Sequence, residues 1–265
     1  MNVFWHELRT QRKSLIIWLV VIVVFVFVSL VKFDSIAESG GGAMEIFKNL
    51  SPTLLAVFGM NGLDLATLDG YVGVCFIFIA VMAAIFAGML GANVIAEEET
   101  DKTIDFLYPK PVARSHILTQ KLLVVALGIV LMATTIYLSV LAATLKYYPD
   151  DATLSAFANF GVAALLIMLL AASIGVLFAA AIPRSKQSAG AVSIVIVVSY
   201  FAYALSKMSP SLDWLHYVSV FRWYDAVDIL QAGNLAIWSV GVTALVSIAA
   251  LLAAFVAYSR RDLIA

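Results

Sequence analysis

Three histidines, one cysteine and twenty serines are the residues here that could supply metal ligands or nucleophiles, and their spacing argues against catalysis. His6-Glu7 starts like the helix of a zinc hydrolase, in which a second histidine four positions after the first supplies another metal ligand on the same face. The run continues Leu8-Arg9-Thr10, without that second histidine. Ser188-Ala189-Gly190 lacks the leading glycine of the sharp turn that exposes a nucleophilic serine. His116 and His216 fall in two further loops, and nothing matches the glycine-rich loop that cradles nucleotide phosphates. Cys75 is the single cysteine and lies inside an apolar run, so no intrachain disulfide forms and the thiol reads as a small core residue. The chain is expected to be no enzyme and to bind neither metal nor cofactor.

Composition identifies the solvent. Of the 265 residues, 63% are hydrophobic and 12% charged, against roughly half and about a quarter in soluble domains. A water-soluble fold could not cover that much apolar surface, so lipid must surround most of the chain. The charge is balanced, with 16 basic and 17 acidic residues, which excludes the basic footprint of a nucleic-acid-binding domain.

Charge-free stretches give six transmembrane helices, at about 14–31, 71–95, 122–145, 158–182, 187–206 and 236–258. Each reaches the ~18 residues that mark a span candidate, where about 20 cross the hydrocarbon core. The expected fold is all-α, a polytopic integral membrane protein forming one transmembrane domain over 1–265. The apolar run of the first span exceeds the usual core of a cleaved signal, so it reads as a retained span despite the small residues at Ser35-Ile36-Ala37. Residues 47–60 carry Pro52, Gly59 and Asn61 around or within a short apolar stretch, and read as a helix or loop at the outer interface.

Basic residues orient the spans. With the N-terminus inside, Arg9, Arg12, Lys13, Lys102, Lys110, Arg114, Lys121, Arg184, Lys186, Arg260 and Arg261 are cytoplasmic. Lys32, Lys48, Lys146, Lys207 and Arg222 are outside. That asymmetry is the positive-inside pattern. It predicts a multi-pass protein with both termini in the cytoplasm. Ahead of the first span, Val3, Phe4, Trp5 and Leu8 share one helical face and Glu7, Arg9, Arg12 and Lys13 spread over the rest, the pattern of an interfacial amphipathic helix.

No Asp, Glu, Lys, Arg or His falls within the spans. Ion-coupled carriers and proton pumps keep ionisable groups at membrane depth in spite of their cost, so a self-powered carrier is disfavoured. Ala84, Gly88 and Ala92, with Ala87 and Gly91, give the second span a small-residue surface suited to close helix packing. That packing is either internal or across a dimer interface.

The loop over 97–121 is more than a connector. It opens with Glu97-Glu98-Glu99, which suits a helix start, pairs Glu98 with Lys102 one turn on, and then carries Ile104, Leu107 and Tyr108 on one face with Phe106 beside them. Pro109 and Pro111 stop the helix. The result is a short cytoplasmic helix with a partly apolar surface.

This loop resembles the coupling segment of the ABC type-2 permease family, the membrane subunits of ATP-binding-cassette exporters. Glu98-Glu99, Thr103-Ile104-Asp105, Pro111-Val112-Ala113-Arg114, Ile117-Leu118 and Lys121 stand where the family has its acid cluster, Thr-containing stretch, Pro-Val-x-Arg element, Ile-Leu pair and lysine. Lys102 and Gln120 replace glycines that are frequent there. The resemblance implies that Glu98, Glu99, Thr103, Ile104, Asp105, Phe106, Leu107, Pro111 and Arg114 contact a cytoplasmic ATPase subunit or fix the helix that does. ATP and Mg would then be bound by that partner.

The outer loop over 207–235 is long for a connector and rich in aromatics. Phe221-Arg222-Trp223-Tyr224-Asp225-Ala226-Val227-Asp228 is similar to the family's stretch before its last span, which implies short outer re-entrant helices over 212–232. The resemblance further implies a second permease copy or related chain as partner, a location in the cell membrane, and outward movement of a hydrophobic or amphipathic cargo such as a lipid, peptide or drug-like toxin. A non-transporting sensor or assembly scaffold is the other expectation that the residues allow.

Overall fold

The computed structural model describes residues 3–38, 51–100, 114–182 and 187–260. Six of its helices are long and apolar enough to cross a membrane, and among the described residues there is no strand. In hydrocarbon, a helix satisfies every backbone donor and acceptor within itself, which is why charge-free runs of this length take that form.

The spanning helices are α1 (Val3–Glu38), α3 (Leu68–Thr100), α4 (Arg114–Thr144), α5 (Asp151–Ala181), α6 (Ser188–Met208) and α9 (Ile237–Arg260). Shorter pieces join them: α2 (Pro52–Val57), α7 (Val220–Trp223), α8 (Ala226–Ala232) and 3-10 turns at Leu145–Tyr147 and Pro210–Tyr217. Successive spans alternate in direction. We call the end holding the start of α1 the base and the opposite end the cap.

Local chemistry sets the boundaries. Asp150 caps α5 by accepting a hydrogen bond from the Thr153 amide at 2.9 Å, and its bonds to Thr153 hold its carboxyl below the ordinary carboxylate range. The same helix stops at Ile182, which turns extended ahead of Pro183. Ser51 caps α2, whose first residue is Pro52, the favoured place for a proline.

Helix α3 sits at the centre, against α1, α4, α5 and α6. Its tightest partner is α5. A Cβ on Gly91 would lie 2.4 Å from the Ala172 carbonyl oxygen, and one on Gly175 would lie 2.2 Å from that of Gly88. Both distances are far inside van der Waals contact with backbone, so only glycine fits. Phe76 and Phe160 stack across the same interface at 4.8 Å. The small-residue surface of the second span is therefore internal: Ala84, Ala87, Gly88, Gly91 and Ala92 are all buried within the bundle.

One expectation changes. The first helix is continuous from Val3, with no separate in-plane helix before the span, and its 36 residues extend about 54 Å at 1.5 Å per residue. Glu7 turns inward rather than toward solvent, because the buried stripe Ile22, Val26, Leu30 and Phe33 continues toward the base through Gln11 and Glu7. Within 47–60, the described part is α2 and a turn, held to α6 by the Tyr200 hydroxyl, which donates to the Val57 carbonyl at 2.6 Å. Residues 47–50 lie outside the described residues.

Candidate functional site

At the base, one lysine gathers three helices. Lys121 near the start of α4 is wholly buried, pairs with the Glu7 carboxylate of α1 at 2.8 Å, and donates to the Val94 carbonyl of α3. A buried charge must be paired and hydrogen-bonded to be tolerated, and the carbonyl together with the carboxylate supplies both. Glu7 is 5% exposed. Its second oxygen has no hydrogen-bond partner among the described residues. The knot lies where α3 leaves the bundle and α4 enters it, at the roots of the loop over 97–121.

Of the residues expected in that loop, Glu98 and Glu99 fall in the last turn of α3, at a helix end rather than the helix start expected of them because the span continues through them, and Arg114 is the first residue of α4. Thr103, Ile104, Asp105, Phe106, Leu107 and Pro111 lie outside the described residues. Ile117 and Leu118, the apolar pair after Arg114, are buried at 5% and 1% and begin the packed part of α4. Sequence reasoning placed Lys121 at the loop's end but missed its partner. The signal was available as the four-residue spacing of Glu7 and Gln11, in line with the apolar stripe of the span that follows.

At the cap, three short helical pieces replace a simple loop, and none is long enough to cross a membrane. Asp225 organises them. One of its oxygens accepts from the Val227 amide at 3.1 Å and so caps α8; the other pairs with Lys207 of α6 and accepts from Arg222 at 3.1 Å. Arg222 also donates to the exposed Asp228 at 2.6 Å. Burial works against the Arg222 charge, but the Asp225 and Asp228 carboxylates more than offset it and hold the guanidinium above its ordinary value.

Tyr224 ties the cap to the last span. Its hydroxyl is 3.1 Å from the Ser239 carbonyl and 2.8 Å from the Thr243 hydroxyl, both of α9. Burial pushes that phenol above its usual value, with the Thr243 bond opposing. Further bonds fasten the rest: Trp223 to the His216 carbonyl at 2.8 Å, Ser219 to the Ser199 carbonyl at 2.6 Å, and Asn159 of α5 to the Gly233 carbonyl at 3.0 Å. Among the described residues no group of His, Cys, Asp and Glu gathers to hold a metal ion.

The bundle thus has a central span locked by glycines, a buried knot at one end and a braced set of short helices at the other. A family model described as ABC-2 family transporter protein matches residues 1–263, nearly the whole chain. The chain belongs to the ABC-2 transporter family. No curated protein matches it significantly. As an ABC-2 membrane domain it is a permease of the ATP-binding-cassette class, and membrane subunits of this family are not themselves catalytic. The base knot and the braced cap are thus features of an ABC-2 permease, and the mild intramembrane hydroxyls are structural in the cases of Ser173 and Ser193. These two donate to Leu169 and Ala189 of their own helices, each at 2.8 Å.

Proposed function

We propose that this ABC-2 permease exports a hydrophobic or amphipathic substrate, a lipid, a peptide or a drug-like toxin, and takes its energy from a separate ATPase subunit that binds the loop over 97–121. The chain acts as one permease domain over 1–265, in the cell membrane, with both termini cytoplasmic, and pairs with a second permease copy or a related chain. The partner ATPase binds ATP and Mg. Within the loop, Glu98, Glu99, Thr103, Ile104, Asp105, Phe106, Leu107, Pro111 and Arg114 contact that subunit or hold the contacting helix. At the cap, residues 212–232 dip into the membrane without crossing it.

The observation that carries this reading is the buried Glu7–Lys121 pair with its bond to Val94. A push on the loop between α3 and α4 would otherwise be dissipated in side-chain motion. Here α1, α3 and α4 are fastened at the loop's roots, so they move as one body when the ATPases close. A packed interface passes small displacements on as rigid-body shifts rather than absorbing them. Apart from the Glu7–Lys121 pair at the base, the charge-free runs over 14–31, 71–95, 122–145, 158–182, 187–206 and 236–258 hold no Asp, Glu, Lys, Arg or His at mid-span, which supports an external energy source.

The test is a photoactivatable amino acid placed at Phe106 in cells that express the chain with its ATPase. The reading requires a crosslink to a protein with ATP-binding-cassette motifs. Crosslinks to lipid alone, or labelling from outside the cell, would refute it.

A further inference from the structure

Helices α4 and α9 both pack on α5 but do not close against one another, and the gap falls in the base-side half of the bundle. Helix α9 packs along α5 but meets α4 only sparsely. Between them is a wedge of about 280 Å³, its walls drawn from residues 119–129 of α4, residues 169–176 of α5 and Leu251 of α9. Val125 and Ile129 are buried in it, whereas Leu123 is 50% exposed at its edge.

The lining suits hydrocarbon and little else. Ser173 is buried and donates its hydroxyl to Leu169 of its own helix at 2.8 Å. Apart from Thr119, every other lining side chain is apolar. All three helices are long and apolar enough to span a membrane, and a span of that kind meets acyl chain rather than water along its outer face. An apolar cavity of about 150 Å³ already stays dry and takes up benzene, and this one is larger. Left empty, its walls would forfeit dispersion contacts on one side; filled with water, it would give that water too few partners.

We propose that the wedge is a binding site for one acyl chain of a membrane phospholipid, entering past Leu123 and Ala126. It differs from the lipid-facing surface of α1, where Val20, Val24 and Val28 are exposed on a convex helix and chains only brush past. The occupant is a hydrocarbon tail, recognised by shape and by the lack of any competing polar contact.

Purified full-length chain in nanodiscs containing a phosphatidylcholine with a diazirine in its acyl chain tests this, with adducts located by peptide mass spectrometry. Adducts are expected to concentrate on residues 119–129 and 169–176, well above those around Val20, Val24 and Val28. Ala126→Phe, which places a ring in the wedge from an exposed position, is expected to lose the wedge adducts and keep those on α1. Leu123→Ala, which widens the edge, should retain both. Wedge labelling no higher than on α1, or wedge labelling that survives Ala126→Phe, overturns the proposal.

Discussion

The Lys121 ammonium lies 2.8 Å from a Glu7 carboxylate oxygen, joining α4 to α1 with side chains that are 0% and 6% exposed. Two charges withdrawn this far from water are stable only as a pair. Their attraction offsets a desolvation cost that neither could bear alone. The bond from Lys121 to the Val94 carbonyl adds α3 to the same knot.

Removing one partner therefore costs more than removing both. Lys121→Met leaves the Glu7 charge stranded and is expected to destabilise the chain by about 3–5 kcal/mol, whereas Glu7→Leu with Lys121→Met together should cost far less. Thermal unfolding in detergent of both single variants and the double completes the cycle. Additive losses would show that the pair does not act as a unit.

The α3–α5 crossing has no room for a methyl group. Gly175→Ala would force its Cβ to 2.2 Å from the Gly88 carbonyl, and overpacking of this kind costs about 1–3 kcal/mol or more. Gly241→Ala on α9 meets nothing within 4 Å and is expected to be neutral or to stabilise by up to about 1 kcal/mol through helix propensity. Melting temperatures of the two variants should move apart in those directions.

At the cap, two aspartates share Arg222 but not its environment. Asp225 is 2% exposed and pairs with both Lys207 and Arg222, while the Asp228 side chain is 58% exposed. Asp225→Asn keeps a capping oxygen for α8 but leaves two cations short of a counter-charge, with a predicted loss of about 3–5 kcal/mol. Asp228→Asn removes a surface pair and should cost under about 1 kcal/mol. Limited proteolysis within 207–235, compared across the variants, would register the difference as cleavage in Asp225→Asn alone.

Much of this fold was legible in the sequence because lipid imposes a simple rule. Runs such as Gln187 to Ser206 contain no charge, and a helix is the form that satisfies their backbones. What was not legible follows from packing between helices. Gly88 and Gly91 advertised close approach, but sequence periodicity does not say whether the approaching surface is Ala172 of the same chain or a neighbouring copy. Glu7 stood among Arg9, Arg12 and Lys13 and read as part of a solvated face; only the position of Lys121, more than a hundred residues on, shows why it is buried.

The cap was legible in kind but not in wiring. The length of the loop over 207–235 set it apart from a simple connector, and the short helices there were implied by the likeness of Phe221 to Asp228 to the family's stretch before its last span. Nothing in their order says that Tyr224 reaches Thr243 on the next span or that Asp225 reaches back to Lys207. Both contacts depend on how α6 and α9 come together.

ATP hydrolysis by the assembled transporter tests the central claim most directly. Chain and partner ATPase are purified together in lipid, and turnover is compared between the native chain and one carrying Phe106→Asp and Leu107→Asp. Energy entering through the loop over 97–121 predicts that the substitutions abolish both co-purification and the stimulation of hydrolysis by the permease. Unchanged association and unchanged turnover in that variant would contradict the account.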